Sequence, residues 1–347
     1  MKILCIDCEG PITLNDNAFE ICQHFLPQGE QFFKLISTFD DYLVDLIKKK
    51  KYQAGGTLKL ITPFLKAHKV TNEQIKNFSR EKLRIIAGAK KMLTKLQLQM
   101  NVFIISTSYT PYINAFCEKV NFPLKNTFST FLDLDSFTLS ESERKRLLHF
   151  YQKINTLHLS PLGRKKTISS QQEKTIYKLN KIFFEELISM DCSVIMDKVN
   201  PVGGEEKERA VKKSINEAQE KTENTIYVGD SITDAKALKF VRTNKGASLS
   251  FNGNIYALKE AEFACISSHT YPLFLVIRMF EKKGREGVLE MASTWPQILS
   301  EKEKEKLTYL APNSVFAPLK KNNFTFLNQL SQERRKKIRG EKIGNLG

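Results

Sequence analysis

The first acidic motif of this sequence places two carboxylates next to an apolar run. Asp7 and Glu9 stand two residues apart in the motif DCEG, at the end of the run KILCID. Where a strand runs out into a loop, both side chains can turn toward one pocket, so that one attacks phosphorus while the other moves a proton. The pair therefore indicates covalent phosphoryl transfer, with a turn or helix-capping role as the alternative.

The second acidic motif is GDSITD, which follows the apolar run TIYV. Its carboxylates, Asp230 and Asp234, lie four residues apart and can reach one divalent ion. Magnesium prefers a few carboxylates, with waters and substrate phosphate oxygens filling the rest of its octahedron. The motif therefore predicts a Mg²⁺ site, with an acidic helix start as the alternative.

A hydroxyl-rich segment, Ser106-Thr107-Ser108, closes the apolar run VFIISTS. Hydroxyls and backbone N–H groups at the head of a helix bind anions through unpaired donors and the helix dipole. Ser106 and Thr107 are therefore candidates for binding an anionic substrate group. Helix capping, a common role of Ser and Thr, is the alternative.

These motifs stand at the ends of runs that have the length of buried strands. The predicted strands lie in 2–7, 102–108, 225–230 and 245–253. Helical patterns separate them and no hairpin signal appears, so we predict a parallel sheet. The carboxyl ends of parallel strands share one edge, where ligands bind. We therefore expect Asp7, Ser106 and Asp230 to meet there.

The remaining segments suggest a core with additions. We predict an α/β fold with a Rossmann-like parallel sheet and helices on both faces, a helical cap inserted after the first strand, a further helical insertion and a basic, tail-like C-terminal extension. The core would comprise 1–13, 87–124 and 191–299, the cap 14–86, the insertion 125–190 and the extension 300–347.

The composition is that of a globular chain with a strong basic excess. The 347 residues include 54 Lys and Arg against 38 Asp and Glu, a net charge of +16, and 41% are hydrophobic. Such an excess attracts phosphorylated substrates, although a solvated basic surface explains it equally. No apolar run reaches the roughly 18 residues of a spanning helix, so no membrane partner is expected. The basic segment 301–347 raises nucleic-acid binding as an alternative, but it contains no recognised module.

The N-terminus and the cysteines bear on localisation. Acidic residues at Asp7 and Glu9 argue against an export signal in MKILCIDCEG, so we expect a cytoplasmic protein. Its six scattered cysteines would then be reduced thiols. Cys5 and Cys8 form a C-x-x-C, but no second ligand pair accompanies it, so we assign them a structural role.

The motifs in their order resemble those of the haloacid dehalogenase superfamily of phosphatases and phosphotransferases. They are closest in style to its phosphoserine phosphatase-like branch. The stretches DCEGPITLNDNAFE, FIISTSYTPYI, GDSITDA and SFNGNIYALKEAE also resemble archaeal proteins labelled energy-converting hydrogenase A subunit R. The resemblance spans residues 7 to about 264 and leaves out the C-terminal extension.

The resemblance implies roles for the first motif. Asp7 would be the nucleophile that forms an aspartyl-phosphate, and it would also bind magnesium. Glu9 would act as general acid and base and give its backbone carbonyl to the metal. Most phosphatases of the superfamily have Asp at that place, so Glu9 leaves open whether water or another hydroxyl accepts the phosphoryl group.

The resemblance also implies roles further along the chain. Ser106 would bind the phosphoryl oxygens. Lys207, which opens a helix 23 residues before Asp230, would neutralise charge on Asp7 and on the phosphoryl group. Asp230 would bind magnesium and Asp234 would support that site. Thr233 departs from the family, in which Asn is common at that place.

The expected function is therefore Mg²⁺-dependent hydrolysis of a small phosphorylated metabolite, with a phosphoserine-like molecule as one candidate. Asp16, Glu20 and Arg84 in the cap are candidates for reading the substrate, although such residues are often solvated surface. Transfer to a hydroxyl acceptor and a non-catalytic subunit of a larger assembly are the alternatives. The sequence leaves the oligomeric state open.

Overall fold

A seven-stranded sheet runs through the computed structural model, which describes residues 1–50, 52–161 and 167–344. Residues 162–166, which belong to the segment predicted as an insertion, lie outside the described residues, as do 51 and 345–347. The strands are β1 (Ile3–Ile6), β2 (Asn101–Tyr109), β3 (Thr127–Thr130), β4 (Thr225–Gly229), β5 (Ala247–Phe251), β6 (Phe263–Ile266) and β7 (Val315–Pro318).

The strand order in the sheet is β3-β2-β1-β4-β5-β6-β7. The strands pair in parallel except for β7, which pairs antiparallel to β6. Helices cover both faces, so the central strands β1, β4 and β5 are buried throughout. The sequences of β1 and β4 are mostly apolar, as expected for strands covered on both faces, whereas β5 includes Ser248 and Ser250. The predicted α/β fold with a Rossmann-like sheet is confirmed. In this order the crevice for ligands lies at the carboxyl ends of the strands beside β1.

In the part of the chain that the structure describes, five α-helices lie between β1 and β2, and eleven follow. The first five are α1 (Asn17–Phe25), α2 (Gly29–Asp41), α3 (Thr57–Ala67), α4 (Asn72–Lys82) and α5 (Ala89–Leu96). The later helices are α6 (Thr110–Val120), α7 (Glu141–Asn155), α8 (Ser170–Lys181), α9 (Val194–Lys198), α10 (Glu205–Glu217), α11 (Ala235–Thr243), α12 (Ile255–Glu260), α13 (Tyr271–Ser293), α14 (Glu301–Leu310), α15 (Phe324–Arg339) and α16 (Glu341–Gly344). Among the described residues, none of these helices has both the length and the apolar character required to cross a bilayer.

The cap helices and the inserted helices share one hydrophobic core. The ring of Phe64 in α3 lies 5.2 Å from the ring of Phe32 in α2, measured between centroids. It also lies 5.9 Å from the ring of Tyr151 in α7 and 5.9 Å from that of Phe183, which follows α8. All four rings belong to one buried cluster that is separate from the clusters on the sheet. The segments inserted after β1 and after β3 therefore pack together as one helical layer.

The C-terminal segment is folded onto the sheet, which differs from the tail-like extension that we expected. Strand β7 extends the sheet, and Leu327 of α15 packs in a buried cluster with residues of β6. Leu327, Ser331, Arg335 and Arg339 recur every four residues and are all buried, so they form one inward face of the helix. The hydroxyl of Ser331 fixes this face by donating to the carbonyl of Gly253 at 2.7 Å.

Candidate active site

The carboxyl ends of β1 and β4 bring the predicted acidic residues together. Asp7 follows β1, and its N–H donates to the carbonyl of Val228 in β4 at 2.9 Å, which fixes the start of the loop. Asp230 follows β4 directly. Asp7, Asp230 and Asp234 are buried, and one carboxylate oxygen from each lies within 4.8 Å of the others. The sheet therefore assembles the two acidic motifs into one cluster.

The turn after Glu9 depends on a glycine. Gly10 has a φ of +101°, which residues with a side chain rarely adopt. A Cβ atom at this position would also clash with the carboxylate of Asp230. The close approach of the β1 loop to the β4 loop therefore needs the glycine that ends the DCEG motif.

Lys207 lies at the start of α10 and is fully buried beneath the acidic cluster. Its Nζ donates to Oδ2 of Asp7 at 2.6 Å and to Oδ1 of Asp234 at 2.7 Å. Asp234 also accepts from the hydroxyl of Tyr227 at 2.7 Å and from the N–H groups of Asp230 and Ser231 at 3.0 Å each. Both oxygens of Asp234 are thus engaged in orienting Lys207 and the loop after β4.

Burial and neighbouring charges set the protonation of this cluster. Burial raises the pKa of Asp7 to about 8; Lys207 opposes the rise, and Asp234 and Asp230 add to it. Burial alone would lower the pKa of Lys207, but the charges of Asp234 and Asp7 outweigh it and raise that pKa. Lys207 therefore stays positively charged. Its charge does not fully offset the burial of Asp7, so the ionised form of Asp7 remains disfavoured.

Asp7 and Asp230 fit a divalent cation by their chemistry. Magnesium selects hard oxygen ligands, and a few carboxylates are its usual protein partners. The high pKa of Asp7 shows that its ionised form would be stabilised by more positive charge nearby. The cluster therefore fits Mg²⁺, which would be held by Asp7 and Asp230. A ligand role for Asp234 stays a prediction.

Glu9 turns toward the first helix of the cap. Its Oε1 accepts the N–H of Asn17, at the start of α1, at 2.7 Å. Burial, together with the charge of Asp16, raises the pKa of Glu9 well above its usual value, while the Asn17 N–H, Arg339 and the Ser108 hydroxyl oppose the rise. Glu9 lines the same cleft as Asp7, and its role as a general acid and base stays a prediction.

At the end of β2 the structure brings one of our two candidate residues, Thr107, to the cleft and buries the other, Ser106. Ser106 is fully buried, and its hydroxyl donates to that of Ser108 at 3.1 Å. Thr107 and Ser108 line the cleft instead. Thr107 in turn donates to the carbonyl of Val202 at 2.9 Å. In this arrangement Ser106 orients Ser108, and a phosphoryl role for Ser106 stays a prediction.

Of the three cap residues that we selected, only Asp16 lines the cleft. Its side chain accepts from the N–H of Phe19 and so also caps α1. Glu20 and Arg84 pair with each other at 2.9 Å, and the Arg84 side chain is half exposed. The structure therefore brings Asp16 to the acidic cluster but leaves Glu20 and Arg84 outside the cleft lining.

Two cap carboxylates that we did not select, Asp40 and Asp41, face the cleft from the end of α2. Asp40 accepts from the N–H groups of Gly55 and Thr57 at 3.2 Å each. Burial raises the pKa of Asp41 to about 8, and the charges of Asp40 and Asp45 add to the rise. The cap side of the cleft is thus acidic as well.

The raised pKa of Asp41 predicts how the stability of the protein depends on pH. The folded protein keeps a proton on Asp41 up to about pH 8, whereas an unfolded chain loses it near pH 4. This contribution therefore favours folding at low pH and is lost as the pH rises from about 4 to 8. Asp41→Asn should raise the free energy of unfolding at pH 8.5 by roughly 1–3 kcal/mol and leave it nearly unchanged at pH 4.

Urea denaturation at the two pH values would measure this effect. Asp197→Asn, which removes a carboxylate whose side chain is 77% exposed, is the matched control and should change neither value. Equal stability of Asp41→Asn and the wild type at pH 8.5 would contradict the prediction.

The cleft also receives two arginines from α15 that our sequence analysis missed. Arg335 and Arg339 both donate through Nη1 to Oδ2 of Asp230, the latter at 3.2 Å. Arg339 also donates to the carbonyls of Leu14, at 3.3 Å, and Asn15. The signal was the four-residue spacing that these arginines share with Leu327 and Ser331, which the surrounding run of charged residues obscured.

Together these groups line a cleft of about 760 Å³, part of it open to solvent. The strand ends form its floor, α2 forms one wall and α15 another. Its lining is rich in carboxylates and hydroxyls, with Lys207 just beneath. Such a site can hold a cation and a small anion side by side.

Comparisons with known proteins find similar solved structures. A gene product of Archaeoglobus fulgidus matches at a TM-score of 0.84 with 28% sequence identity, covering 100% of this chain and 99% of that one. A phosphoserine phosphatase, as a phospho-aspartyl intermediate analogue, has a TM-score of 0.47 with 14% identity over 76% and 92% of the chains. A Salmonella enterica hydrolase of the haloacid dehalogenase family has 0.46 with 11% identity over 77% and 66%.

Comparison of the sequence with family models and curated proteins adds no match to these structures. No protein-family model matches the chain, and a search of curated proteins finds no match. The Archaeoglobus structure shares the fold along its whole length, including the C-terminal segment.

Proposed function

We propose that this protein is a Mg²⁺-dependent phosphatase that hydrolyses a small phosphomonoester through an aspartyl-phosphate. The observation that best supports this proposal is the buried ion pair between Lys207 and Asp7, which lies beside the carboxylate of Asp230 at the floor of a cleft. A purely structural ion pair would not need an open cleft or a third carboxylate. A nucleophilic carboxylate that must meet a phosphoryl dianion needs the cation and the access.

Asp7 carries the covalent step. Its Oδ1 accepts the N–H of Cys8 at 2.7 Å and its Oδ2 accepts from Lys207, so the carboxylate is held in one orientation. One of its oxygens attacks phosphorus, and the bond between phosphorus and the ester oxygen breaks. Lys207 offsets the charge that gathers on the phosphoryl oxygens, and a bound Mg²⁺ would supply further charge neutralisation.

Glu9 moves the protons. It gives a proton to the leaving alkoxide and then takes one from the water that attacks the aspartyl-phosphate, which releases phosphate and restores Asp7. Ser108 lines the cleft and would donate its hydroxyl to a phosphoryl oxygen, whereas the hydroxyl of Thr107 is committed to the carbonyl of Val202 at 2.9 Å. A substrate hydroxyl in place of that water would make the same site a phosphotransferase.

The helical layer sets the size of the substrate. Phe33, Ser37 and Leu58 of α2 and α3 line the cleft above the strand ends. Walls of this kind exclude part of the bulk water and strengthen the interactions inside. We therefore propose a small metabolite, and not a macromolecule, as the phosphorylated substrate.

Metal-dependent hydrolysis of a generic aryl phosphate tests the proposal. The full chain should release phosphate in the presence of Mg²⁺. Adding a chelator should lower the rate at least about 100-fold, because a bound metal lowers the free energy of the charged transition state by several kcal/mol. Added Mg²⁺ should restore the rate. A folded protein that turns over neither the aryl phosphate nor a panel of phosphorylated metabolites in Mg²⁺ would rule the proposal out.

A further inference from the structure

One acid in the cleft lining, Asp41, has no hydrogen-bond or ion-pair partner among the described residues. Every other acid in the described lining accepts a hydrogen bond from a backbone N–H group or from a cationic side chain. These acids are Asp7, Glu9, Asp16, Asp40 and Asp230. Asp41 therefore differs from its neighbours, because its carboxyl contributes to no contact that builds the cleft.

One face of α2 brings Asp41 to the cleft. Phe33, Ser37 and Asp41 follow one another at four-residue intervals, and all three line the cleft. Side chains four residues apart lie on the same side of a helix, so this side of α2 faces the strand ends. The chain continues directly into a π-helical turn over Tyr42–Leu46. Such turns are frequent at functional sites.

Two contacts hold this end of α2 against the core. Asp40 accepts the N–H of Gly55 at 3.2 Å, and a Cβ atom at Gly55 would lie 2.9 Å from a side chain at the end of β2. Farther along the chain, Oδ2 of Asp45 accepts from the hydroxyl of Tyr256 in α12 at 3.2 Å. Asp41 stands between these two contacts, so its position is fixed before a substrate arrives, which lowers the cost of binding.

The carboxyl of Asp41 lacks a positive charge nearby. Burial raises its pKa to about 8, and the charges of Asp40 and Asp45 add to the rise. A cation beside a carboxyl favours the ionised form. An alkylammonium group keeps its own proton up to about pH 10, so it would supply that cation and donate hydrogen bonds to the carboxylate. The chemistry of this position therefore favours a ligand ammonium.

A ligand carboxylate has no comparable place on this side of the cleft. The lining that α2 and α3 contribute consists of apolar, hydroxyl and acidic side chains. The cations in the described lining are Arg335 and Arg339 on the α15 wall, and both already bond Asp230. A carboxylate beside Asp41 would therefore be placed near like charge without a counter-ion.

We propose that Asp41 selects a substrate with an ammonium group, so that the substrate is the phosphomonoester of a short amino alcohol without a carboxylate. The inference rests on the proposed function and names the class of substrate. The phosphoryl group lies at Asp7, and the ammonium group donates to the carboxylate of Asp41. Asp40 is a positioning residue, because it holds the loop at Gly55 against the end of β2.

Hydrolysis of two matched esters by the full chain in Mg²⁺ at pH 8.5 tests the inference. Phosphoethanolamine and ethylene glycol monophosphate have the same length and differ in an ammonium against a hydroxyl group. The wild type should prefer phosphoethanolamine at least about 10-fold in kcat/KM. Asp41→Asn should lower this ratio at least about 10-fold, as expected for the loss of a hydrogen bond between charged groups.

Two further variants and a third ester complete the test. Asp41→Glu keeps the charge and should keep the preference for the amine. Asp197→Asn, which removes an exposed carboxylate, is the matched control and should keep the wild-type ratio. Phosphoserine adds a carboxylate to phosphoethanolamine, and the wild type should hydrolyse it with a kcat/KM at least about 10-fold lower.

The outcomes separate this inference from the proposed function. The inference alone would be overturned by a wild type that hydrolyses the glycol ester or phosphoserine as well as phosphoethanolamine. It would also be overturned by a ratio that Asp41→Asn leaves unchanged, including an equal loss of activity on both esters, which would indicate a structural role. A wild-type protein that hydrolyses no phosphomonoester would overturn both.

Discussion

Asp7→Asn should abolish phosphomonoester hydrolysis, with a fall in kcat of at least roughly 10⁴-fold, because the amide cannot act as the nucleophile. The variant should still fold. Burial already disfavours the ionised form of Asp7, and Lys207 keeps its ion pair with Asp234 when Asp7 is neutralised. We therefore expect an inactive protein whose unfolding temperature equals that of the wild type or exceeds it.

Two measurements would check this variant. Acid quenching during turnover of a radiolabelled substrate should trap a phosphorylated wild-type chain and no phosphorylated Asp7→Asn chain. Asp197→Asn removes an exposed carboxylate and should retain both activity and labelling. Turnover by Asp7→Asn at the wild-type rate would show that another group takes the phosphoryl group.

Lys207→Met should cost both stability and activity. The substitution leaves Asp7 and Asp234 buried without the cation that bonds each of them at 2.6 and 2.7 Å. Breaking a buried ion pair by removing one partner typically costs about 3–5 kcal/mol, so we expect the free energy of unfolding to fall by about that amount. Loss of the charge that faces the phosphoryl group should lower kcat by roughly 10²–10³-fold.

Urea denaturation and hydrolysis of the aryl phosphate would measure the two effects. Lys213→Met lies on the same helix, and its side chain is 67% exposed and pairs only with Glu217 among the described ion pairs. This control should keep full activity and lose less than about 1 kcal/mol, as surface pairs contribute little. An active and fully stable Lys207→Met protein would contradict the central role of this lysine.

The core sheet and its acidic cluster could be predicted because burial on both faces of a parallel sheet favours long apolar runs. Each such run shows where a strand ends, and so Asp7 and Asp230 could be placed at one edge. Lys207 could be placed only through the resemblance, since a single lysine at a helix start has no signal of its own. The structure brings it to Asp7 at 2.6 Å.

The direction in which individual side chains point could not be predicted. Ser106 and Thr107 alternate across a strand, and the pattern does not say which of them faces the cleft where β2 runs into its loop. Glu20 and Arg84 lie on the cap, and their mutual ion pair depends on how α1 packs beside the end of α4. Such choices follow from tertiary packing and leave no periodic trace in the sequence.

The basic C-terminal segment was the largest surprise. Its composition is typical of a solvated surface, because Gln332, Glu333 and Lys337 between the buried positions are exposed. Only the four-residue spacing of the inward face distinguishes this helix from a charged tail. Because we judged this segment by its net charge, we did not predict that two of its arginines lie in the cleft.

The contact between Arg339 and Asn15 joins residues 324 positions apart in the chain. During synthesis, Asp7 and the loop that follows it leave the ribosome long before Arg335 and Arg339. A nascent chain can thus form most of its sheet while one wall of the cleft is still missing. Proteolytic loss of α15 from the finished protein would remove the same wall, together with the two arginines that contact Asp230.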